Sequence, residues 1–234
     1  MTLAVVVGLF ALGYLAYYFS PSTGTFKALA TRLGGDDGAR EAGIHLQRAI
    51  GFVTLGVIPG MAALASGYGP ADLGLVWPDK ESSLVWYLGY LAAGFVMTAA
   101  RPGKHINTGF YPQVRAAEWT PRRVVVNTLS WCLYLVGYEA AFRGFMLFPL
   151  VPVMGPYLAV ALNSGLYAFA HVYKGPGEAF GAFFLGIALC MVALGTGSFV
   201  IPLAFHVVLA LGNDYRAVAA NPDMRFVRGS GRSS

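Results

Sequence analysis

Four ionisable side chains stand where the surrounding sequence offers no route to water. Glu139 and Arg143 lie in GYEAAFRGF, between VVVNTLSWCLYLV and MLFPLVPV; His171 follows NSGLYAFA, and His206 lies within FVIPLAFHVVLALGND. A charge in lipid is expensive unless it is paired or faces a wet cavity. Positions i and i+4 share one helix face, so Arg143 can neutralise Glu139 and make it tolerable. That explains how the acid survives, not why it is present. A carboxylate and two imidazoles drawn from three helices are what a bundle needs to hold a water, a metal ion or a proton path. Plainer readings stand beside this one: a structural Glu139–Arg143 pair, a core His206 bonded to a carbonyl, and a His171 at a helix end.

The elements that must position these groups are membrane helices. Of 234 residues, 56% are hydrophobic and only 12% charged, against about 25% charged in a soluble domain. Mean hydropathy is +0.59. Apolar runs reach the length that about 30 Å of hydrocarbon demands of a helix. The 30 glycines suit close helix approach in lipid. The expected fold is therefore an all-α, polytopic transmembrane helix bundle of about seven to eight spans. The spans are read at 2–19, 49–66, 84–100, 124–147, 155–171, 178–194 and 199–212. Residues 1–123 make N-terminal spans and loops, 124–212 a motif-bearing core bundle, and 213–234 a polar, loosely ordered tail. The apolar N-terminus lacks a basic leader and reads as a retained span.

The net charge of +5 comes from basic residues scattered between apolar runs, a pattern of loop charges rather than nucleic-acid binding. With the N-terminus outside, every loop Lys and Arg except Lys80 falls on the inner side. GYGPADLGLVWPDKESS reads as an interfacial turn, and the segment from Arg101 to Arg123 as a surface-lying connector anchored at the headgroups. His45 and His105 are expected to be solvated loop residues, and Cys132 and Cys190 free thiols. Asn127 and Asn163 suit interhelical hydrogen bonds, and Glu178 a helix-start carboxylate. On this topology Glu139 stands about 24 Å from Arg123 at 1.5 Å per residue. It would then lie in the outer half, with His171 at the inner end of its span. The two meet only through a kinked or re-entrant segment, for which Gly137, Gly144, Pro149, Pro152 and Pro156 supply the breaks.

Three stretches resemble motifs of the CAAX-protease and bacteriocin-processing (CPBP) family of intramembrane proteases. YEAAFRGFMLFPL is similar to the first motif, LYAFAHVYKG to the second, with Tyr167 four residues before His171, and GTGSFVIPLAFHVVLALGND to the third, bearing His206. Order and spacing agree over roughly residues 120 to 215. Two positions depart from the pattern: Tyr138 replaces a leading Glu, and Ala210 replaces an Asn four residues after the histidine. Asn213 and Asp214 follow a turn later.

The resemblance implies an intramembrane peptidase that hydrolyses membrane-tethered peptides with a Glu/His-activated water. On that reading Glu139 and His171 are the base pair, His206 binds the oxyanion or the water, and Arg143 is the structural partner of Glu139. No cofactor is implied, although a zinc site of Glu139, His171 and His206 is chemically feasible. The expected partners are the lipid bilayer and a membrane-tethered peptide or protein, with no nucleic acid. The expected location is the bacterial inner membrane, N-terminus outside and C-terminus cytoplasmic. The two departures motivate the alternative of a catalytically inactive member serving as scaffold or accessory subunit of a membrane complex.

Overall fold

The computed structural model describes the backbone of residues 3–78, 80–100 and 106–228, and side chains at 4–78, 85–96 and 106–228. The helices are α1 (Leu3–Phe19), α2 (Gly24–Gly51), α3 (Ile58–Ala65), α4 (Lys80–Ala100), α5 (Pro121–Glu139), α6 (Phe148–Met154), α7 (Pro156–Phe169), α8 (Pro176–Thr196) and α9 (Val200–Ala220). A parallel pair of two-residue strands, β1 (Glu118–Trp119) and β2 (Arg225–Phe226), ties the approach to α5 to the chain after α9. The expected all-α membrane bundle is what forms.

Two π-helical segments shape the bundle. Phe52–Val57 joins α2 to α3, and Ala140–Leu147 joins α5 to α6, so each pair runs as one long rod. Each segment lies just before a proline, Pro59 and Pro149 respectively. A helical proline cannot donate to the carbonyl four residues back and presses on it, and a widened turn relieves that conflict. Thr120 caps α5 by accepting from the Arg123 amide, with Pro121 pre-set for the first turn. After Pro152 the chain reverses at Gly155, whose φ of 80° suits glycine, and Pro156 opens α7.

The two rods meet at glycines. A methyl group on Gly137 would sit 2.7 Å from the Phe52 Cα, and one on Gly56 would sit 2.9 Å from the Gly137 Cα. This contact draws α5 against the α2–α3 rod, leaving its other faces to α7 and α9. Leu55, Leu135, Phe142, Met146 and Leu189 fill the space between.

Several sequence expectations change. Residues 24–48, read as a loop, form most of α2, broken only at Gly35. His45 is therefore not a solvated loop residue: its Nδ1 lies 2.9 Å from Ser130 Oγ. His105, Arg101 and Lys104 lie outside the described residues. The described part of the connector packs inward, and Trp119 is 1% exposed rather than anchoring a surface. The turn around Gly74 leaves Trp77 exposed while Gly74 and Val76 accept hydrogen bonds from the start of α9. The tail expected from Asn213 begins eight residues later, because α9 continues to Ala220 with Asn213 and Asp214 buried inward.

Among the described residues, four helical stretches are long and apolar enough to cross a membrane: Ala4–Ser22, Gly24–Ala65, Pro121–Met154 and Pro176–Thr196. Of the other expected spans, α7 has 14 residues, and Asn213, Asp214 and Arg216 dilute α9; among the residues whose side chains are described, α4 contributes the apolar stretch Val85–Val96. Replacing Gly137 with Ala should force the rods apart and lower stability by about 1–3 kcal/mol, as overpacking does. Thermal unfolding of the protein in detergent or lipid measures this; an unchanged midpoint would contradict the contact.

Candidate active site

The chain reversal between α6 and α7 sets the depth of every polar group. The Asn163 side chain donates to the Phe142 carbonyl, and the Tyr138 and Tyr167 rings lie 5.8 Å apart. This antiparallel register places Tyr167 beside Tyr138 and His171 one turn further toward the Arg123 end. Fourteen residues carry α7 only about 21 Å. Its end therefore stops deep in the bundle, and His171 lies 6.3 Å, ring to ring, from Tyr138. The depth mismatch expected from the sequence disappears because α7 is too short to return His171 to the surface.

Glu139 ends α5 and Arg143 lies in the π segment after it, both 0% exposed. Arg143 Nη1 stands 3.1 Å from Glu139 Oε2, and the guanidinium carbon lies 4.4 Å from the Tyr167 ring centre. His206, on α9, places its Nδ1 2.6 Å from Glu139 Oε1. The structure thus joins Glu139 to His206, not to His171. His171 instead directs Nδ1 to the Tyr167 carbonyl at 2.7 Å. A carbonyl can only accept, so this nitrogen carries the hydrogen and the lone pair of neutral His171 is on Nε2.

A cavity of about 570 Å³ joins the two imidazoles. His171, His206, Tyr138 and Ala210 are among the residues that line it, while Glu139 and Arg143 stand behind that wall. Among the described residues no three His, Cys, Asp or Glu side chains gather to hold a metal ion. Glu139 is spent on His206 and Arg143 and does not reach the space beside His171.

The segment after Ile106 and the turn between α7 and α8 line the same cavity. Asn107 donates to the Lys174 carbonyl at 2.8 Å, and Lys174 Nζ donates to the Tyr111 hydroxyl at 3.1 Å. The ammonium also packs against the Phe110, Tyr111 and Tyr173 rings. Loss of water lowers the pKa of Lys174, an effect that Glu178, in the first turn of α8, partly offsets.

A second buried network, missed from the sequence, borders the same cavity. Arg48 is 2% exposed and donates to Asn127 Oδ1 at 2.9 Å, Ser130 Oγ at 2.7 Å and Gln113 Oε1 at 2.9 Å. Asn127 passes the link to Asp214 Oδ2 at 2.8 Å, which also accepts from Trp131 Nε1 at 3.2 Å. Arg48 is thus no loop charge, whereas Lys27, Arg32 and Arg40 stay exposed. The available signal was AREAGIHLQR, dense in strong helix formers and running straight into the apolar segment. Asn127 and Asn163 do make the interhelical bonds expected of them, Asn163 also accepting from Cys190 Sγ.

Arg143→Met should leave the Glu139 carboxylate buried beside His206 alone and destabilise the protein by about 3–5 kcal/mol. Adding Glu139→Gln should recover part of that loss in a double-mutant cycle of unfolding free energies. Strict additivity would show that the pair is not coupled.

Residues 116–211 match the family model described as Type II CAAX prenyl endopeptidase Rce1-like. That segment runs from just before β1 into α9 and contains Glu139, Arg143, His171 and His206. No curated protein and no solved structure matches the chain. The apolar helices make this an integral membrane protein, and the segment that bears its polar site, less than half of the chain, is similar to that CAAX endopeptidase family.

Proposed function

We propose that this protein is an intramembrane peptidase that cleaves membrane-associated peptides with a water activated by His206 and Glu139. The observation that carries the reading is the 2.6 Å His206–Glu139 bond at the wall of a cavity that His171 also lines. Glu139 and Arg143 already balance one negative and one positive charge without water. A permanent imidazolium at His206 would leave an uncompensated buried cation. Neutral His206 therefore donates its Nδ1 hydrogen to Glu139 and offers Nε2 to the cavity. His171 offers its own Nε2 in the same way. Two acceptors hold both hydrogens of one water and leave an oxygen lone pair for a peptide carbonyl.

In the attack, the water oxygen bonds to the carbonyl carbon while one water proton moves to His206 Nε2. The carbonyl electron pair shifts to its oxygen. Glu139 stabilises the transient imidazolium, as a carboxylate does behind a general-base histidine. Collapse re-forms the carbonyl, breaks the C–N bond and returns the proton to the leaving amine. These roles exchange the two histidines relative to those the resemblance implied, because the carboxylate sits behind His206. No metal is required by this route. Loop charges support an orientation with the N-terminus outside and the C-terminus cytoplasmic in a bacterial inner membrane.

The second reading, an inactive scaffold or accessory subunit, draws on Ala210, which presents only a methyl group one turn after His206. Reconstitution in vesicles with a membrane-tethered reporter peptide separates the two. The peptidase reading expects turnover that falls by about 10²–10⁴-fold in Glu139→Gln, the range of general acid–base catalysis. No wild-type cleavage, or full activity in the variant, would remove it. Activity should also survive a strong chelator; loss reversed by added zinc would contradict the metal-free route.

A further inference from the structure

The proposed reaction leaves one task unassigned. As the carbonyl oxygen becomes an oxyanion it needs a hydrogen-bond donor, and such donors are among the largest contributors to acyl-transfer catalysis. Both Nδ1 hydrogens are already committed, to Glu139 and to the Tyr167 carbonyl. Ala210 carries no donor.

Tyr138 and Tyr167 are the tyrosines whose rings pack on both imidazoles. The Tyr138 ring lies 5.5 Å from that of His206 and 6.3 Å from that of His171. Tyr167 lies under the Arg143 guanidinium, whereas Tyr138 is 3% exposed and its buried hydroxyl has no hydrogen-bond partner among the described residues. Tyr138 also lines the cavity. A buried hydroxyl left unsatisfied is destabilising, so one retained beside a reaction cavity is explained by a group that satisfies it only during turnover.

We infer that Tyr138 is a catalytic residue whose hydroxyl donates a hydrogen bond to the oxyanion of the tetrahedral intermediate. The inference rests on the peptidase reading above. No proton leaves the phenol: it shares its hydrogen with the oxyanion as the carbonyl pair moves to oxygen, and releases it when the carbonyl re-forms. The Tyr at this position thus supplies the donor that Ala210 does not.

The test uses the full chain in vesicles with the tethered reporter peptide. Tyr138→Phe removes an unpartnered hydroxyl, so its Tm should equal or exceed that of the parent protein. Its kcat should fall by about 10²–10³-fold, the effect of removing one oxyanion donor. KM and the pH dependence of kcat should stay unchanged. Inhibition by a peptide aldehyde, whose hydrate mimics the intermediate, should weaken by a similar factor. A kcat close to the parent value would overturn the assignment, as would a kcat loss accompanied by a displaced pH profile, which marks a residue that only positions His206. Should the Phe variant fail to fold, a fluorinated tyrosine at 138 keeps the shape and changes the acidity of the donor. An unaltered kcat there overturns the proposal, and an altered kcat with an unchanged pH profile supports it. Wild-type protein that cleaves nothing removes the peptidase reading and this one together. Wild-type cleavage lost in Glu139→Gln but intact in Tyr138→Phe removes only this one.

Discussion

Glu139 is fully buried, and the architecture around it answers that fact. Its carboxylate is met from its own helix by Arg143 and from α9 by His206. An ion pair alone gains little when both partners are desolvated, and it is tolerated only where further polar contacts complete it. Here the aromatic face of Tyr167 lies against the guanidinium, and His206 Nδ1 meets Oε1, the carboxylate oxygen to which Arg143 also donates. Loss of Arg143 would leave the carboxylate charge in a medium that cannot screen it.

The backbone irregularities follow from the same demand. Arg143 falls within the π segment Ala140–Leu147, whose residues are all buried. A widened turn changes the angular offset between Glu139 and the residues after it, as π-bulges at functional sites do. The Gly137–Phe52 contact holds the rods close enough that α5 can serve α2, α7 and α9 at once. The short α7 then lets the chain turn back inside the bundle, so that His171 joins the cavity instead of the membrane surface. In the proposed reaction, the charged Glu139–Arg143 pair stays behind the wall while two neutral imidazole nitrogens face the space where water and peptide would meet.

Much of this was legible in the sequence, for identifiable reasons. Ionisable residues within apolar runs stand out because lipid makes them costly, which singled out Glu139, Arg143, His171 and His206. The i, i+4 spacing correctly joined Glu139 to Arg143. Partner choice between helices was not legible: nothing in the one-dimensional pattern says that His206 rather than His171 reaches Glu139. The α2 helix was hidden because its hydropathy resembles that of a loop, although its Ala, Arg, Glu, Leu and Gln favour helix. Arg48 and Asp214 were misplaced for a related cause. Each is buried by neighbours from distant elements, Gln113 and Asn127 among them, and long-range contacts of that kind leave no local periodicity. Trp119 looked like a headgroup anchor because its amphipathic ring suits an interface as well as the pocket beside Val218 and Tyr215.

The proposed reaction requires two neutral imidazoles that present their Nε2 atoms to one hydrated cavity backed by a buried, ionised carboxylate. A diffraction or cryo-electron map of the protein in lipid that reveals ordered solvent tests it most directly. An ordered water within hydrogen-bonding reach of the Nε2 atoms of both His206 and His171, with Glu139 still seated against His206 Nδ1, is the expected result. A dry space filled by packed side chains, or imidazoles at separate depths with no solvent between them, would contradict the account.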